Sequence, residues 1–560
     1  MSINEVEFDN VPGTIHLVDL EGNLDVKKNK GDKSIILLPQ PSSNPNDPLR
    51  WSQKKKIQQF SLLWVWAFLL AVAVNFWGPL WEIWSEEFDV SFYRLNITAA
   101  ECFLFLGVGC LFLQPTALKL GRRFVYLICT VIILVVSVLG SQASNVVYLD
   151  VSNIFGGFAA APVDSLVEIS STDVFFQHER ATAISCLILA LYAGSFLGPV
   201  ACGYITDSMG WRWCYYFQVI FFGILFVILI LGMEDTTFDR NYNEEILEQN
   251  ILQQIRSKDN DSTTQSGKNV TTEIDTNEIS SKISFDASEV SSVDYSIPKR
   301  TYWQRMRLME LEYNDKRPWF TIFIRPFYLI TFPAVVWGGI IYGAQMMYLS
   351  LISTSQSQIF SSPPYNFGAN AVGLTNISCF VGNIIGMFYG GPFVDWLTVR
   401  LARKNEGILE PEFRLQAMHV PTIVNAAGLL AYGLGAHYKA HWAVPAIIGQ
   451  GLLGVAMSSS GAICLSYAVD SYGMLASEAL VLMLVIRNCI GFAFTFGFQP
   501  WLDHNGLKVL TWLIFMLCLI INASYILMIR YGKACRKWTK SKYEKYSDPN
   551  YGTISFFTKK

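Results

Sequence analysis

The chain has 560 residues, 52% of them hydrophobic and only 16% charged, with a net charge of −3. Soluble domains carry about a quarter charged residues, and a weakly acidic chain without a basic stripe offers nothing to a nucleic-acid backbone. The apolar excess is gathered into runs of roughly 18 to 26 residues, enough to cross about 30 Å of hydrocarbon as a helix, so an ordinary soluble fold is excluded.

In chain order, a polar tail over 1–57 ends in Lys54, Lys55 and Lys56 and contains no cleavable signal, which leaves the first span as its own insertion signal. Spans are predicted near 58–80, 99–118, 124–143, 146–171, 182–206 and 214–233, then near 327–352, 371–394, 417–437, 442–468, 477–499 and 507–529. This is an all-α polytopic membrane protein with twelve transmembrane helices. It divides into a tail (1–57), a six-helix half (58–234), a polar linker (235–325), a second six-helix half (326–531) and a tail (532–560). Within the linker, 242–256 reads as an amphipathic surface helix. Residues 257–296, rich in Ser, Thr, Asp and Asn, cannot bury enough apolar surface to fold.

Lys and Arg collect on one side of the spans, at Lys119, Arg122, Arg123, Arg400, Arg403, Arg414 and Lys533, while Glu82, Glu86, Glu87 and Asp89 mark the other. That bias predicts that both termini and the linker are cytoplasmic. A multi-pass protein of the plasma membrane, monomeric within the lipid bilayer, is expected. The eleven cysteines lie mostly inside apolar runs, so no disulfide framework is expected. The sequon at Asn96 falls on the outer side but close to the membrane.

An ionisable group within a span costs about 2.5–3.5 kcal/mol on insertion scales, so each needs a reason. In the fourth span Asn153, Gly157, Ala160, Asp164 and Glu168 share one face at 100° per residue. Two carboxylates below a stripe of small residues suggest a water-filled cavity; the plainer alternative is an interfacial Glu168 and a buried hydrogen bond for Asp164. Arg487, mid-way along the eleventh span, should face the interior and pair with an acid, either as a structural tie or as part of a substrate site. Asn75, Trp337, Tyr342, Gln345, Asn376 and Asn383 are further cavity candidates. Aromatic rings suit organic cations through cation–π contact, although packing explains such rings equally simply. His437 and His441 have i, i+4 spacing but lack a third ligand and the HExxH glutamate, so no metal is expected. The absence of a nucleotide-binding loop excludes an ATP-driven pump, and with no catalytic constellation neither an enzyme nor a cofactor is expected.

The run Gly194-Ser-Phe-Leu-Gly198-Pro199-Val-Ala-Cys202-Gly203 resembles the GxxxGPxxGG antiporter motif, with Cys202 in place of one glycine. Lys119-Leu-Gly121-Arg122-Arg123 resembles the end of a cytoplasmic gating motif whose Asp is replaced here by Leu118, while Gly391-Pro-Phe-Val-Asp395 keeps its Asp. With Asp173–Arg180, Gly210–Trp213 and the run 401–415, these segments resemble the fungal drug:proton antiporter branch of the major facilitator superfamily. The resemblance implies the two-halves major facilitator fold and secondary transport coupled to protons. The family's span-four Arg is replaced by Asn153, so coupling is expected to fall on Asp164 or Glu168. The opening LLPQPSSNPNDPLRW is similar to yeast transporters of polyamines and histidinol-type organic cations, which implies a small cationic organic substrate. Two rivals stand beside that reading: a multidrug efflux antiporter, and a membrane nutrient sensor.

Overall fold

In a computed structural model the chain is described over residues 11–16, 44–176, 179–237, 298–309 and 317–547. Among the described residues, eleven helical segments are long and apolar enough to cross a membrane. The last includes Ala476–Ala523, 48 residues that a straight helix could not fit within a bilayer. Gly506, at φ +73°, turns the chain there in a conformation that suits glycine. Twelve crossings result: α1 (Gln53–Asn75), α2 (Phe92–Leu120), α3 (Arg122–Ser141), α4 (Val146–Val174), α5 (Arg180–Met209), α6 (Arg212–Gly232), α7 (Pro333–Ser361), α8 (Ala369–Phe388), α9 (His419–His437), α10 (Gln450–Ser471), α11 (476–505) and α12 (507–523).

Local chemistry sets several of the ends. Ser52, Ser91 and Asn145 cap α1, α2 and α4 by accepting from the backbone N–H groups of Lys55, Arg94 and Val147. Gly121 closes α2 at φ +93°. The seventh span starts at Pro333 rather than near 327, because Phe332 is extended and proline occupies the first helical turn. Residues Trp319–Tyr328 form a separate short helix that begins within the last residues of the segment 235–325. The expected elements at 242–256 and 257–296 lie outside the described residues.

The first six spans pack as one half and the last six as the other. The halves meet where α2 lies on α11 and α5 on α8. Small residues permit that closeness: a Cβ on Gly203 would lie 2.7 Å from the Ala369 oxygen, and one on Gly373 would lie 2.7 Å from that of Pro199. Gly194 does the same service inside the first half, where a Cβ would strike the Phe68 carbonyl of α1. Gly198 is looser than its place in the motif suggests, since its nearest neighbour would be Val72 at an ordinary 3.4 Å. The outward faces of α3, α6, α9 and α12 expose Val135, Leu231, Ile423 and Ile520. Only a hydrocarbon solvent accommodates such surfaces.

The segment Val11–His16 and the final helix meet on one face, here the terminal face, where Arg536 donates to the Pro12 carbonyl. There the strand β1 (Ile15–His16) pairs antiparallel with β2 (Ile408–Leu409) in the α8–α9 connection. The region 1–57 is thus not solely a free tail. The final helix, Tyr525–Ser547, extends beyond the last crossing.

Candidate functional site

At the junction of the halves, α1, α2, α4, α5, α7 and α11 enclose a narrow cavity lined by Asn75, Asp164, Tyr192, Ser195, Met346 and Arg487, among others. Its free space is about 20 Å³, room for a water molecule and little more. Three of the residues singled out from the sequence, Asn75, Asp164 and Arg487, meet here.

Arg487 of α11 grips Asp164 of α4 with both prongs of its guanidinium. Nη1 donates to Oδ1 at 2.9 Å, and Nη2 donates to Oδ2. Both residues are 2% exposed. Nε and Nη2 also donate to Asn488 Oδ1 at 3.2 and 3.1 Å, and the Tyr342 ring lies 4.7 Å from the guanidinium carbon. The pair ties the halves together at their centre. Removing one partner would leave a buried, uncompensated charge, at a cost of about 3–5 kcal/mol.

Glu168 stands one turn along α4 from Asp164 and is also buried. Its Oε2 has no hydrogen-bond partner among the described residues. Asn75 donates to Ser195 Oγ at 3.1 Å and to the Ala71 carbonyl, so α1 and α5 are joined beside the pair. Gln345, one turn beyond Ile341, is fully buried with its Oε1 unpartnered.

The other sequence candidates are not brought to the cavity. Trp337 donates to Ser524 Oγ at 2.7 Å and packs edge-on against Tyr467, so its ring is a packing element nearer the terminal face. Asn376 donates to Gln356 Oε1 at 2.8 Å and ties α8 to α7. Asn383 donates to the Cys379 carbonyl within its own helix. Its Oδ1 is buried with no hydrogen-bond partner among the described residues. Tyr192 and Ser195 also line the cavity and are not among the sequence candidates; the signal available was that Ser195 follows Gly194 in the motif and that both are buried on one face of α5.

Both mouths of the junction are shut. On the terminal face Asp395 Oδ2 accepts from the Thr182 N–H at 3.0 Å and from its hydroxyl at 2.9 Å, joining the second half to the start of α5. Gln114 of α2 donates to Ser477 of α11 at 2.5 Å. Arg414 holds Asp395 and Asp470 together from the second half. Arg122 pairs with Asp173 and reaches Thr236, while Arg123 donates to the carbonyls of Ile230 and Arg307; both fasten the first half to itself and to the two ends of the linker that follows it. On the opposite face Gln499 of α11 accepts from Asn96 of α2 at 3.5 Å and from Gln358 of α7 at 2.8 Å. Asn96 is completely buried there, so its sequon is closed to a glycan in this conformation. The molecule is occluded.

Residues 63–477 match the family model described as Major Facilitator Superfamily. An uncharacterized MFS-type transporter of Schizosaccharomyces pombe is 33% identical over 555 residues, covering 95% of this chain and 94% of the relative. Protein HOL1 of Saccharomyces cerevisiae is 29% identical over 570 residues, covering 96% and 97%. Among solved structures, the proton:xylose symporter XylE aligns with a TM-score of 0.55 at 12% identity, over 86% of this chain and 96% of that one. A two-halves, all-helical fold with a closed central cavity, together with these matches, assigns the chain to the Major Facilitator Superfamily of membrane transporters.

Proposed function

We propose that the chain carries cationic organic solutes, polyamines foremost, in exchange for protons, by alternating access between its two halves. The observation that carries this reading is the charge at the centre: Arg487 is paired with Asp164, and a second buried carboxylate, Glu168, lies one turn away on α4 with its Oε2 unpartnered among the described residues. With Glu168 ionised the centre holds one uncompensated negative charge, and a cation leaving water is the ligand that offsets it. The Tyr342 ring, already stacked under a cation, offers a second favourable face.

A cavity of about 20 Å³ admits no organic solute, so binding requires the halves to part and Arg487 to leave Asp164. In this reading the incoming ammonium takes Asp164, Arg487 turns toward Glu168, and Glu168 releases its proton. Cation binding and proton loss are thereby linked, which makes the carrier an antiporter. The Lys and Arg bias supports a cytoplasmic terminal face. The drug-efflux reading draws on a specific feature too: Val74, Phe103, Leu106 and Leu349 give the cavity an apolar lining suited to lipophilic cations.

Purified protein in vesicles, acidic inside and alkaline outside, should accumulate labelled spermidine saturably as protons leave. Accumulation of lipophilic dyes with no spermidine movement would select the efflux reading. No saturable movement of any cation under either gradient would refute transport of this class and favour a sensor.

A further inference from the structure

On the terminal face, two parts of the second half and the helix that follows it build a cleft: strand β2, the end of α10 at Asp470 and Ser471, and Arg536 of the final helix. The segment Val11–His16 fills it. Its first residues form a turn, with the Thr14 N–H donating to the Val11 carbonyl at 3.2 Å. Gly13, at φ +82°, lies so close to α10 that a Cβ would sit 2.6 Å from the Asp470 oxygen and 2.9 Å from the Ser471 Cα. The chain then runs antiparallel to β2, with Ile15 opposite Leu409 and His16 opposite Ile408. Arg536 is fully buried under the segment. Its Nη1 donates to the Pro12 carbonyl at 2.5 Å and to Thr14 Oγ1 at 3.3 Å, while Nε and Nη2 hold Glu412 at 2.9 and 2.5 Å. A buried guanidinium divided between a carboxylate and a carbonyl, a left-handed glycine fitted to a helix end and a paired strand make a built receptor rather than a resting place.

The cleft adjoins the closure of the terminal face. Asp470, whose carbonyl meets Gly13, gives its carboxylate to Arg414 at 2.7 Å. Arg414 holds Asp395 at 3.0 Å, and Asp395 caps the start of α5 through Thr182. An unbroken line of contacts therefore leads from Gly13 to the joint between the halves. By sequence the segment precedes α1 and the first half, yet every contact named here is to the second half or the final helix that continues it. We propose that this cleft is a receptor for the chain's own segment Val11–His16, and that seating the segment stabilises the closed terminal face, so that its release favours opening there.

The full chain in membranes tests this with Ile15→Cys and Leu409→Cys, oxidised by copper phenanthroline and read by peptide mass spectrometry. Opening is read by maleimide labelling of Ser185→Cys, in a Cys186→Ser background, because Ser185 is buried against Gly391 at the joint. The 15–409 disulfide should form, should slow labelling at position 185, and should lose that effect on reduction with dithiothreitol. Gly13→Val, which unseats the turn, should speed labelling by roughly tenfold, the ratio that corresponds to about 1.4 kcal/mol. Failure of the disulfide to form would overturn the seating. Equal labelling rates before and after reduction would overturn the coupling, and that comparison decides the matter within one protein even if Gly13→Val does not reach the membrane.

Discussion

Asp164 and Arg487, 323 positions apart in sequence, form a two-pronged ion pair that crosses between the halves at the middle of the bundle. A carrier that opens alternately to either side must strain or break that pair in each cycle, and what replaces it determines what can be carried.

Single substitutions at the pair should be far worse than the double. Arg487→Gln leaves the Asp164 carboxylate buried alone and should cost about 3–5 kcal/mol. Asp164→Asn with Arg487→Gln removes both charges and should recover much of that loss. Thermal unfolding of the detergent-solubilised variants checks this, with a coupling energy well above about 0.5 kcal/mol expected for residues in contact. Additive effects would mean the two charges do not rely on each other.

Glu168 should govern the response to pH. If it must give up its proton to receive Arg487, apparent affinity for the cation rises with pH through its titration. Glu168→Gln mimics the protonated acid and should keep the low-pH affinity at every pH. Spermidine binding measured from pH 5 to 9 on both proteins decides it; parallel profiles would move the proton step elsewhere.

The glycines of α5 should not be equivalent. Gly194→Val places side-chain atoms where the Phe68 carbonyl stands and should abolish transport or assembly. Gly198→Ala meets only Val72 at ordinary contact distance and should transport at close to the parent rate. Transport rates normalised to membrane abundance test the contrast, and equal loss at the two sites would contradict the packing account.

Much of this architecture was legible because the bilayer imposes it. Apolar runs of fixed length are a direct consequence of crossing hydrocarbon, and the long polar stretch after the sixth run marks the division into six plus six. The need of Arg487 for an acidic partner was legible for the same reason, since a lone charge in a span is too costly. Which acid it takes was not, because the pairing joins helices from different halves and leaves no local periodicity. Trp337 and Tyr342 read alike in sequence, five residues apart on one helix. Only the packing separates them, sending one ring to Ser524 and the other to Arg487. The docking of Val11–His16 was invisible, because one left-handed glycine and a two-residue strand carry no pattern that stands out from a polar tail.

The most direct measurement is equilibrium binding of labelled spermidine to the purified protein and to its Asp164→Asn variant, which keeps the side-chain volume and removes the charge. The account predicts that apparent affinity falls tenfold or more, since one decade is about 1.4 kcal/mol, while Asp164→Glu retains part of it. Unchanged affinity in Asp164→Asn would contradict a cation site at the centre of the bundle.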